Sequence, residues 1–504
     1  MEIMISRNSV IDFIRRNIIF LIILIAGAIL WTWIFNTAAA EFLIGQERPF
    51  RSVWNGGGSI DLWGYTLNYE FEGWADHDYY YISWAEQFLH GYVPYTDQFN
   101  LIIVENTSYN TPYFFPPLYV YLCVIGKLIH PDFGIGFVIS AFGFMTVFPV
   151  YGIADFLSGN RRVAEIASAT YLVNPIVLYH TAFEWLNPAP FVFFSMLSFY
   201  LLMKNYRVSG TLAMVTSAFF KQTAFFFALP LIAFLIKVPP GKMQESSENT
   251  DEIKENEIKR RPKSDQVDLK GFMKMILIVV IYAVALSLPY IFDFSNYVHY
   301  VFQRMGATLL TNLTVTPAGN QPITLAVVFI VLGAPEWLTQ AVNLMNYYSI
   351  GLLIGILPPL ALMLLEEKDD ENLKGYWRKI FFLSLLMMLG VHIFSPRGIY
   401  KYYTVALVPF ISILSTSSIC TKERKGIRAS IVMVLNPLII TMAILVPNRN
   451  IYIFYLVLTT LAYIFHRQFS DTYDLVTSPF RNIGRRIKEI IRLSRRSELP
   501  LKAE

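Results

Sequence analysis

The sequence predicts an all-α polytopic membrane protein, and three observations carry this prediction. Of the 504 residues, 55% are hydrophobic and only 15% are charged, and the mean hydropathy is +0.45. Apolar runs of about 17–25 residues, the length at which an α-helix crosses a bilayer, recur along the chain. The basic residues cluster beside these runs. This composition excludes an ordinary soluble protein, and no nucleic-acid motif is present, so we expect no nucleic-acid partner.

The chain has only two cysteines, Cys123 and Cys420, and both fall in apolar segments. This placement indicates neither a disulfide framework nor a thiolate metal site. The low cysteine count and the lack of a retention signal favour a multi-pass protein of a prokaryotic cell membrane.

The first apolar run, from Ile18 to about Phe35, predicts a retained membrane anchor. It is too long for a cleaved signal peptide and lacks the small residues of a cleavage site. Three arginines precede it, so the positive-inside rule puts the N-terminus in the cytoplasm. Residues 37–112 then form a long first outer loop.

Within this loop, Trp74–Asp97 has the pattern of an amphipathic interfacial helix. Asp78 occupies an N-cap position, Gly91 a stop position, and Pro94 prevents continuation. The expected apolar stripe is Tyr80, Tyr81, Trp84, Ala85, Phe88 and Leu89, and the expected polar side is Ser83, Glu86, Gln87 and His90.

Asp76 and Asp78 form an acidic pair at the start of this helix. The dipole of a helix N-terminus favours ionised carboxylates. An ionised pair suits either metal binding or removal of a proton from a sugar hydroxyl. The alternative is that Asp78 only caps the helix and Asp76 is only solvated.

The next four apolar segments are 114–130, 134–157, 163–181 and 188–203. Whether an odd or an even number of them crosses the membrane decides which side the following residues lie on. If all four cross, the basic residues at 161–162 and 204–207 lie outside. If 114–130 only dips into the outer leaflet, they lie inside. Pro116-Pro117 and His130-Pro131 bound this segment and favour the second arrangement. That arrangement places Glu184 and Asn187 on the same outer face as Asp76.

The same arrangement divides 209–236 into two short halves that meet near Lys221. A lysine at the centre of a lipid-facing helix costs about 2.5–3.5 kcal/mol. A lysine at a break facing a polar cavity avoids this cost or uses it for function. The alternative is one long tilted helix from which Lys221 reaches the interface.

The domain organisation follows from these runs. Residues 1–236 form a first membrane module, 237–271 a disordered charged cytoplasmic linker, 272–466 a second membrane module and 467–504 a basic amphipathic cytoplasmic tail. Within the second module we expect crossings at 272–292, 344–365, 380–394, 404–420, 429–446 and 451–466, and an outer-leaflet segment at 322–334.

Four stretches carry a resemblance to a known family: ADHDYYYISWAEQFLHGYVPY (75–95), FPPLYVYL (115–122), NPIVLYHTAFEWLNPAPF (174–191) and KQTAFFFALPLIAF (221–234). In combination they resemble the GT-C superfamily of polytopic glycosyltransferases, and in particular GPI mannosyltransferase I and related prokaryotic mannosyltransferase-like families. The resemblance covers 15–236 well and the remainder loosely. Many relatives carry an acid where this chain has Asn187, which makes Glu184 the substitute candidate.

The resemblance implies a GT-C-like transmembrane bundle that moves a hexose, mannose or glucose, from a polyprenyl-phosphate donor to a glycan, lipid or protein acceptor. Transfer would be inverting and would occur at the non-cytoplasmic face, in contact with membrane lipids. Asp76 would be the general base. Asp78 would assist it, either as a second ligand of Mg²⁺ or Mn²⁺ or by holding the helix start.

The leaving lipid phosphate needs positive partners, for which Lys221, Arg397 and Lys401 are candidates. Glu184, Asn187, Tyr80 and Tyr403 are candidates for substrate binding. The alternatives are a solvated loop for Arg397 and Lys401, and an interfacial belt for the tyrosines. His180 and His392 we expect to be buried or interfacial rather than ligands.

Two rival functions differ from transfer. A transporter or flippase of lipid-linked or small polar substrates should show internal repeats and paired broken helices, and we find no such repeat in the sequence. A catalytically inactive relative that only binds a glycolipid is the second rival, because Asn187 replaces an acid.

Overall fold

The computed structural model describes most of the chain as far as residue 416. The described residues are 7–45, 56–62, 65–71, 74, 76–96, 99, 101–104, 107–110, 113–237, 267–288, 290–303, 309–311, 313, 324–366, 373–396, 398 and 401–416. The predicted tail, the last two predicted crossings and nearly all of the predicted linker lie outside this set.

Helices dominate the first half. They are α1 (Arg7–Gly45), a π-helix (Asp76–Ile82) that continues as α2 (Ser83–Leu89), α3 (Pro117–Ile129), α4 (Gly134–Met145), α5 (Val147–Ser158), α6 (Arg161–Leu172), α7 (Pro175–Val177) with a following π-helix (Leu178–Phe183), α8 (Pro188–Met203), α9 (Arg207–Phe220), a 3₁₀ turn (Gln222–Ala224) and α10 (Phe225–Leu235).

The second half continues the bundle. Its elements are α11 (Leu269–Ser287), a 3₁₀ turn (Tyr290–Asp293), α12 (Phe294–Val298), a π-helix (His299–Gln303), α13 (Leu325–Val331), α14 (Glu336–Tyr347), α15 (Ile350–Leu365), α16 (Leu373–Ile393), a 3₁₀ turn (Lys401–Ala406) and α17 (Val408–Thr416).

Four helical segments of the described chain are long and apolar enough to cross a membrane: Asn17–Leu43, Gly134–Ser158, Leu269–Ser287 and Leu373–Ile393. The bent pair α14 and α15 makes a fifth if it counts as one span. The prediction of a helical protein with several membrane-length helices is therefore confirmed.

Residues 37–112, the predicted first outer loop, also contain two short antiparallel hairpins, which the all-α prediction did not include. Strand β1 (Gly56–Leu62) pairs with β2 (Tyr65–Phe71), and β3 (Leu101–Val104) pairs with β4 (Thr107–Asn110). They flank the helix that begins at Asp76.

Helix α3 is too short to cross and has both ends on one side of the bundle. Its 13 residues span about 20 Å, whereas a bilayer core is about 30 Å thick. Phe115, just before α3, lies 5.5 Å from the Lys221 Nζ. Asp132, just after α3, accepts a hydrogen bond from the neighbour of Asp76, His77. Lys221 and Asp76 are themselves close enough to interact electrostatically.

The bundle has a basic end opposite Lys221. Arg378 donates to the carbonyl of Leu157 at 2.8 Å, and Arg161 donates to the Asn17 side chain at 2.6 Å. Arg207, at the start of α9, donates to the backbone carbonyls of Leu235, the last residue of α10, and of Lys237 just beyond it. Since α9 runs from Arg207 to Phe220, Lys221 lies at the other end from these arginines.

Helices from before and after the linker share one buried core. Phe199 of α8 packs against Phe381 of α16 at 5.6 Å between ring centroids, and Phe227 of α10 stacks on Phe410 of α17 at 5.7 Å. The two predicted membrane modules are thus in direct contact, and the boundary between them stays a prediction.

Two predicted segments have different shapes in the structure. The segment 163–181 breaks after Leu172, because Asn174 caps a new helix by accepting from the Ile176 amide at 3.0 Å. The crossing expected at 344–365 is instead α14 and α15, which meet at 66° where Ser349 adopts a φ of 60°.

Candidate functional site

The acidic helix begins at Asp76, three residues earlier than a helix capped by Asp78 would begin. The amide of Asp78 donates to the carbonyl of Trp74 at 2.9 Å, so Asp78 lies inside the first turn and the prediction that it is the N-cap is wrong. The expected end is confirmed, because Gly91 adopts a φ of 86° just beyond α2.

The buried face of this helix differs in part from the predicted stripe. Tyr81, Trp84 and Ala85 are buried as expected, but Ser83 is also buried and Leu89 is 49% exposed. The reason is the π-helical first turn, which carries more residues per turn than an α-helix and so shifts the register of the face.

The fold brings Asp76 close to Lys221. Lys221 lies between α9 and α10, more than 140 residues further along the sequence. Burial raises the pKa of the Asp76 carboxyl from 3.8 to about 6, and the positive charge of Lys221 limits this rise. A carboxyl with this pKa is largely ionised at neutral pH yet close enough to it to exchange a proton.

Lys221 occupies the break that the sequence predicts. Helix α9 ends at Phe220, Lys221 is extended with φ −156° and ψ 135°, and a 3₁₀ turn leads into α10. Lys221 is buried inside the bundle, with only 3% of the residue exposed. The prediction of two half-helices is therefore confirmed.

A neutral amide joins Lys221 to a tyrosine. The Lys221 ammonium donates to the Asn187 Oδ1, and the Asn187 Nδ2 donates to the Tyr81 hydroxyl at 2.9 Å. Asn187 is 2% exposed. Because the amide carries no charge, it fixes the position of the ammonium without neutralising it.

Four aromatic rings also lie near the ammonium. The Lys221 Nζ lies 4.0 Å from the ring centroid of Tyr403 and 5.3 Å from that of Tyr402, with Phe115 and Phe191 slightly farther away. Ring faces attract cations in such a desolvated setting. His392 Nε2 lies 3.1 Å from the carbonyl oxygen of Tyr403 and links this turn to α16.

The structure thus groups Asp76, Asn187, Lys221 and Tyr403, four of the predicted residues. The ring of Tyr80 packs on Trp84 and Phe114 at 5.4 and 6.0 Å, and its predicted role in substrate binding stays a prediction. Its neighbour Tyr81 takes the place beside Asn187. The predicted apolar stripe includes Tyr81, but no local signal in the sequence shows that its hydroxyl meets Asn187.

Glu184 lies in a separate buried pair. Its Oε2 is 2.6 Å from the Nδ1 of His180, and 2% of Glu184 and 6% of His180 are exposed. His180 is therefore buried, as expected. The prediction that Glu184 binds substrate stays a prediction.

The structure does not describe the side chains of two predicted phosphate ligands, Arg397 and Lys401. Arg397 lies outside the described residues, and Lys401 opens the 3₁₀ turn Lys401–Ala406 with only its backbone described. Both stay predictions, although the turn itself carries Tyr402 and Tyr403 to Lys221.

The predicted Mg²⁺ or Mn²⁺ site at Asp76 and Asp78 stays a prediction. Residues two apart in a helix do not face each other, so the helix by itself does not bring the two carboxylates together. The charge that acts on Asp76 is an ammonium, not a further carboxylate. Across the described part of the chain, no group of three or more His, Cys, Asp or Glu residues is placed to hold a metal ion.

His77, which sequence reasoning passed over, anchors the helix start. It is fully buried, its Nε2 lies 2.7 Å from the carbonyl of Asp132, and its ring packs on Trp185 at 4.8 Å. Burial lowers its pKa from 6.5 to about 4, so His77 is neutral and structural at physiological pH.

The fold and the site define a helical bundle with membrane-length helices. The partly buried pair Asp76 and Lys221 lies at the end opposite Arg161, Arg207 and Arg378. Comparison with protein-family models and with curated proteins finds no match to this chain. What the site does must therefore be argued from its own chemistry.

Proposed function

We propose that this chain is an integral-membrane glycosyltransferase of the GT-C type, which moves a hexose from a polyprenyl-phosphate donor to an acceptor hydroxyl. The observation that supports this most is the Asp76–Lys221 pair with its neutral Asn187 bridge. One site then holds a base with a pKa of about 6 beside a buried lysine whose ammonium donates to the neutral amide of Asn187.

Asp76 and Lys221 match the two charge changes of inverting transfer, which are loss of the acceptor proton and growth of negative charge on the leaving phosphate. Asp76 takes the acceptor proton as the acceptor oxygen attacks the anomeric carbon. The bond from that carbon to the phosphate oxygen breaks, and its electron pair leaves with the lipid phosphate. Lys221 stabilises the negative charge that grows there. No metal ion is needed in these steps.

The position of the pair in the bundle suits a lipid-linked donor. Basic residues favour the cytoplasmic side of a membrane, so the basic end of the bundle would face the cytoplasm and Asp76 the outer side. The short helix α3 would then lie at the outer end. Nucleotide sugars are made in the cytoplasm, which is why an outer-side transferase takes its sugar from a lipid carrier.

This orientation is tested by single cysteines in a background without Cys123 and Cys420. We expect a membrane-impermeant maleimide to label His90→Cys in intact cells and Arg162→Cys only after permeabilisation, since both side chains are exposed at opposite ends of the bundle. The reverse pattern would put the site in the cytoplasm and contradict the proposal.

The activity is tested with purified protein in vesicles that contain polyprenyl-phosphate [³H]mannose or [³H]glucose and a membrane extract as the acceptor source. We expect one donor to give a labelled product that survives mild acid, which destroys the unreacted donor. Movement of the labelled lipid across the bilayer without a new product would instead identify a flippase.

Asn187→Asp tests the role of the neutral bridge. The new carboxylate pairs with Lys221 and withdraws its charge from the donor phosphate, so we expect the KM for the donor to rise about tenfold or more, which is about 1.4 kcal/mol. The acidic limb of the pH profile moves to higher pH, because Lys221 no longer lowers the pKa of Asp76. Asn160→Asp, the same exchange at the cap of α6, is the control. It should leave the KM for the donor and the pH profile unchanged.

A further inference from the structure

We infer that Tyr81 is a positioning residue: its hydroxyl holds the Asn187 amide, and through it the Lys221 ammonium, in place. This inference rests on the proposed function and deepens it, because it ties the lysine to the helix that carries Asp76. It begins from two hydrogen bonds. The Lys221 ammonium donates to the Asn187 Oδ1, and the Asn187 Nδ2 donates to the Tyr81 hydroxyl at 2.9 Å.

The two ends of the Asn187 amide have different partners because they have different chemistry. The oxygen accepts hydrogen bonds and the nitrogen donates them, whereas an ammonium can only donate. The Oδ1 must therefore face Lys221, and the Nδ2 on the other side then needs an acceptor, which the Tyr81 hydroxyl provides. Asn187 is 2% exposed and Tyr81 is 1% exposed, so the acceptor for the Nδ2 comes from the protein rather than from bulk water.

The hydroxyl of Tyr81, rather than its ring, makes this residue specific. The ring packs against Tyr119 at 5.2 Å and against Trp84 at 5.8 Å between centroids, and a phenylalanine ring would make the same contacts. Without the hydroxyl, the buried Nδ2 would lose its acceptor and carry a desolvation cost. The amide lowers that cost only by rotating, and Lys221 then loses the oxygen that fixes its position.

The link through Tyr81 and Asn187 is uncharged. Burial raises the pKa of the Tyr81 hydroxyl above its usual range, and the negative charge of Asp76 raises it further, so Tyr81 is neutral at physiological pH. The Asn187 amide has no charge at any pH. The two side chains can therefore hold Lys221 in place without adding a negative charge that would compete with a leaving phosphate.

One short helix carries both Tyr81 and Asp76. They are the sixth and the first residues of the π-helix Asp76–Ile82. The i→i+5 hydrogen bonds of a π-helix bring residues five apart onto about the same face, whereas in an α-helix such residues lie about 140° apart. Single π-helical turns are frequent at functional sites. This turn therefore joins the proposed base to the residue that positions the proposed phosphate partner.

Inverting transfer needs such a connection between the base and the cation. The acceptor oxygen and the leaving oxygen lie on opposite faces of the anomeric carbon, so the groups that serve them must be held at a set separation. A misplacement of about 1 Å can cost about 100-fold in rate. The rings of Tyr402 and Tyr403 also attract the Lys221 charge, but a ring attracts a cation anywhere over its face. The hydrogen bond to Asn187 gives the ammonium a defined direction.

The first test needs no sugar donor and so separates this inference from the proposed function. Acetic anhydride modifies the unprotonated amine of a lysine, and the hydrogen bond to Asn187 opposes loss of the ammonium proton. We expect Lys221 in Tyr81→Phe to be acetylated about tenfold faster than in wild type, measured by mass spectrometry of the peptide that contains it. Tyr171→Phe is the control and should leave this rate unchanged. Tyr171 is also 1% exposed, and its hydroxyl donates to the Gly143 carbonyl at 2.8 Å.

The same measurement in an Asn187→Leu background shows whether Tyr81 acts through the amide. Asn187→Leu should itself raise the acetylation rate of Lys221, because the ammonium loses the Oδ1. Adding Tyr81→Phe should then change the rate by less than about twofold, since the link is already broken. An unchanged rate in Tyr81→Phe alone, or the same rise in both backgrounds, would overturn the inference, whether or not the chain transfers sugar.

The second test follows transfer from polyprenyl-phosphate [³H]mannose or [³H]glucose. Tyr81→Phe keeps the charge of Lys221 but not its position, so we expect kcat to fall about tenfold while the KM for the donor stays within about twofold of wild type. In the Asn187→Leu background, Tyr81→Phe should lower kcat no further. A wild-type kcat in Tyr81→Phe would overturn the inference. If wild type itself forms no product, the proposed function fails and the acetylation rates alone decide the positioning role.

Discussion

Asp76→Asn is expected to abolish sugar transfer, with a fall in kcat of about 10²–10⁴-fold. The asparagine amide has the size of the carboxyl but cannot accept the acceptor proton. The measurement is the initial rate of labelled product from polyprenyl-phosphate hexose at saturating donor. The wild-type rate itself should fall below pH 6, because Asp76 becomes protonated there.

The same substitution should not weaken the fold. The surroundings of Asp76 raise its pKa from 3.8 to about 6, so on balance they disfavour the charged form. Between these values the unfolded chain ionises first, and stability falls as the pH rises through that window. At pH 7 we therefore expect Asp76→Asn to have a Tm at least equal to that of wild type.

Asp155→Asn provides the control, since Asp155 is also partly buried but lies at the C-terminal end of α5, close to the basic end. It should retain transfer. If Asp76→Asn transferred sugar at the wild-type rate, Asp76 would have no part in the reaction and the proposed mechanism would be wrong.

Lys221→Met is expected to produce the second-largest loss, by two separate effects. The methionine keeps the length of the chain but removes the charge that meets the leaving phosphate, and loss of such a group costs about 10²–10³-fold in kcat. It also removes the interaction that lowers the pKa of Asp76, so the acidic limb of the pH profile should move to higher pH.

The control for this prediction is Lys127→Met, which breaks an exposed ion pair with Glu86. Exposed pairs contribute little, and we expect its pH profile and rate to match wild type. A Lys221→Met protein with an unshifted acidic limb would show that the two side chains do not interact in the working enzyme.

Several features of the site were readable from local sequence. Asp76 stands out because two acids precede an aromatic helix, and Lys221 stands out because a lysine interrupts an apolar run of membrane length. Gly91 marks the end of the helix by its freedom to adopt a positive φ. Each of these signals depends on residues within about one or two helical turns.

Other features had no local signal. Tyr81 rather than Tyr80 meets Asn187, and it lies in the π-helical turn Asp76–Ile82. Periodicity assumes 3.6 residues per turn, so it cannot register such a turn. The pairing of His180 with Glu184 does follow helical spacing, yet nothing local shows that both are buried.

The sequence by itself determined that this protein is a helical chain with membrane-length apolar segments, a broken helix at Lys221 and an acidic helix start at Asp76, because hydropathy and breaking residues act over short distances. Only the tertiary structure decided that Asp76, Asn187, Lys221 and Tyr403 meet. They come from four separate elements, and their meeting depends on how the π-helix Asp76–Ile82, α8, α9 and the turn Lys401–Ala406 pack. That packing is a property of the whole core rather than of any one stretch.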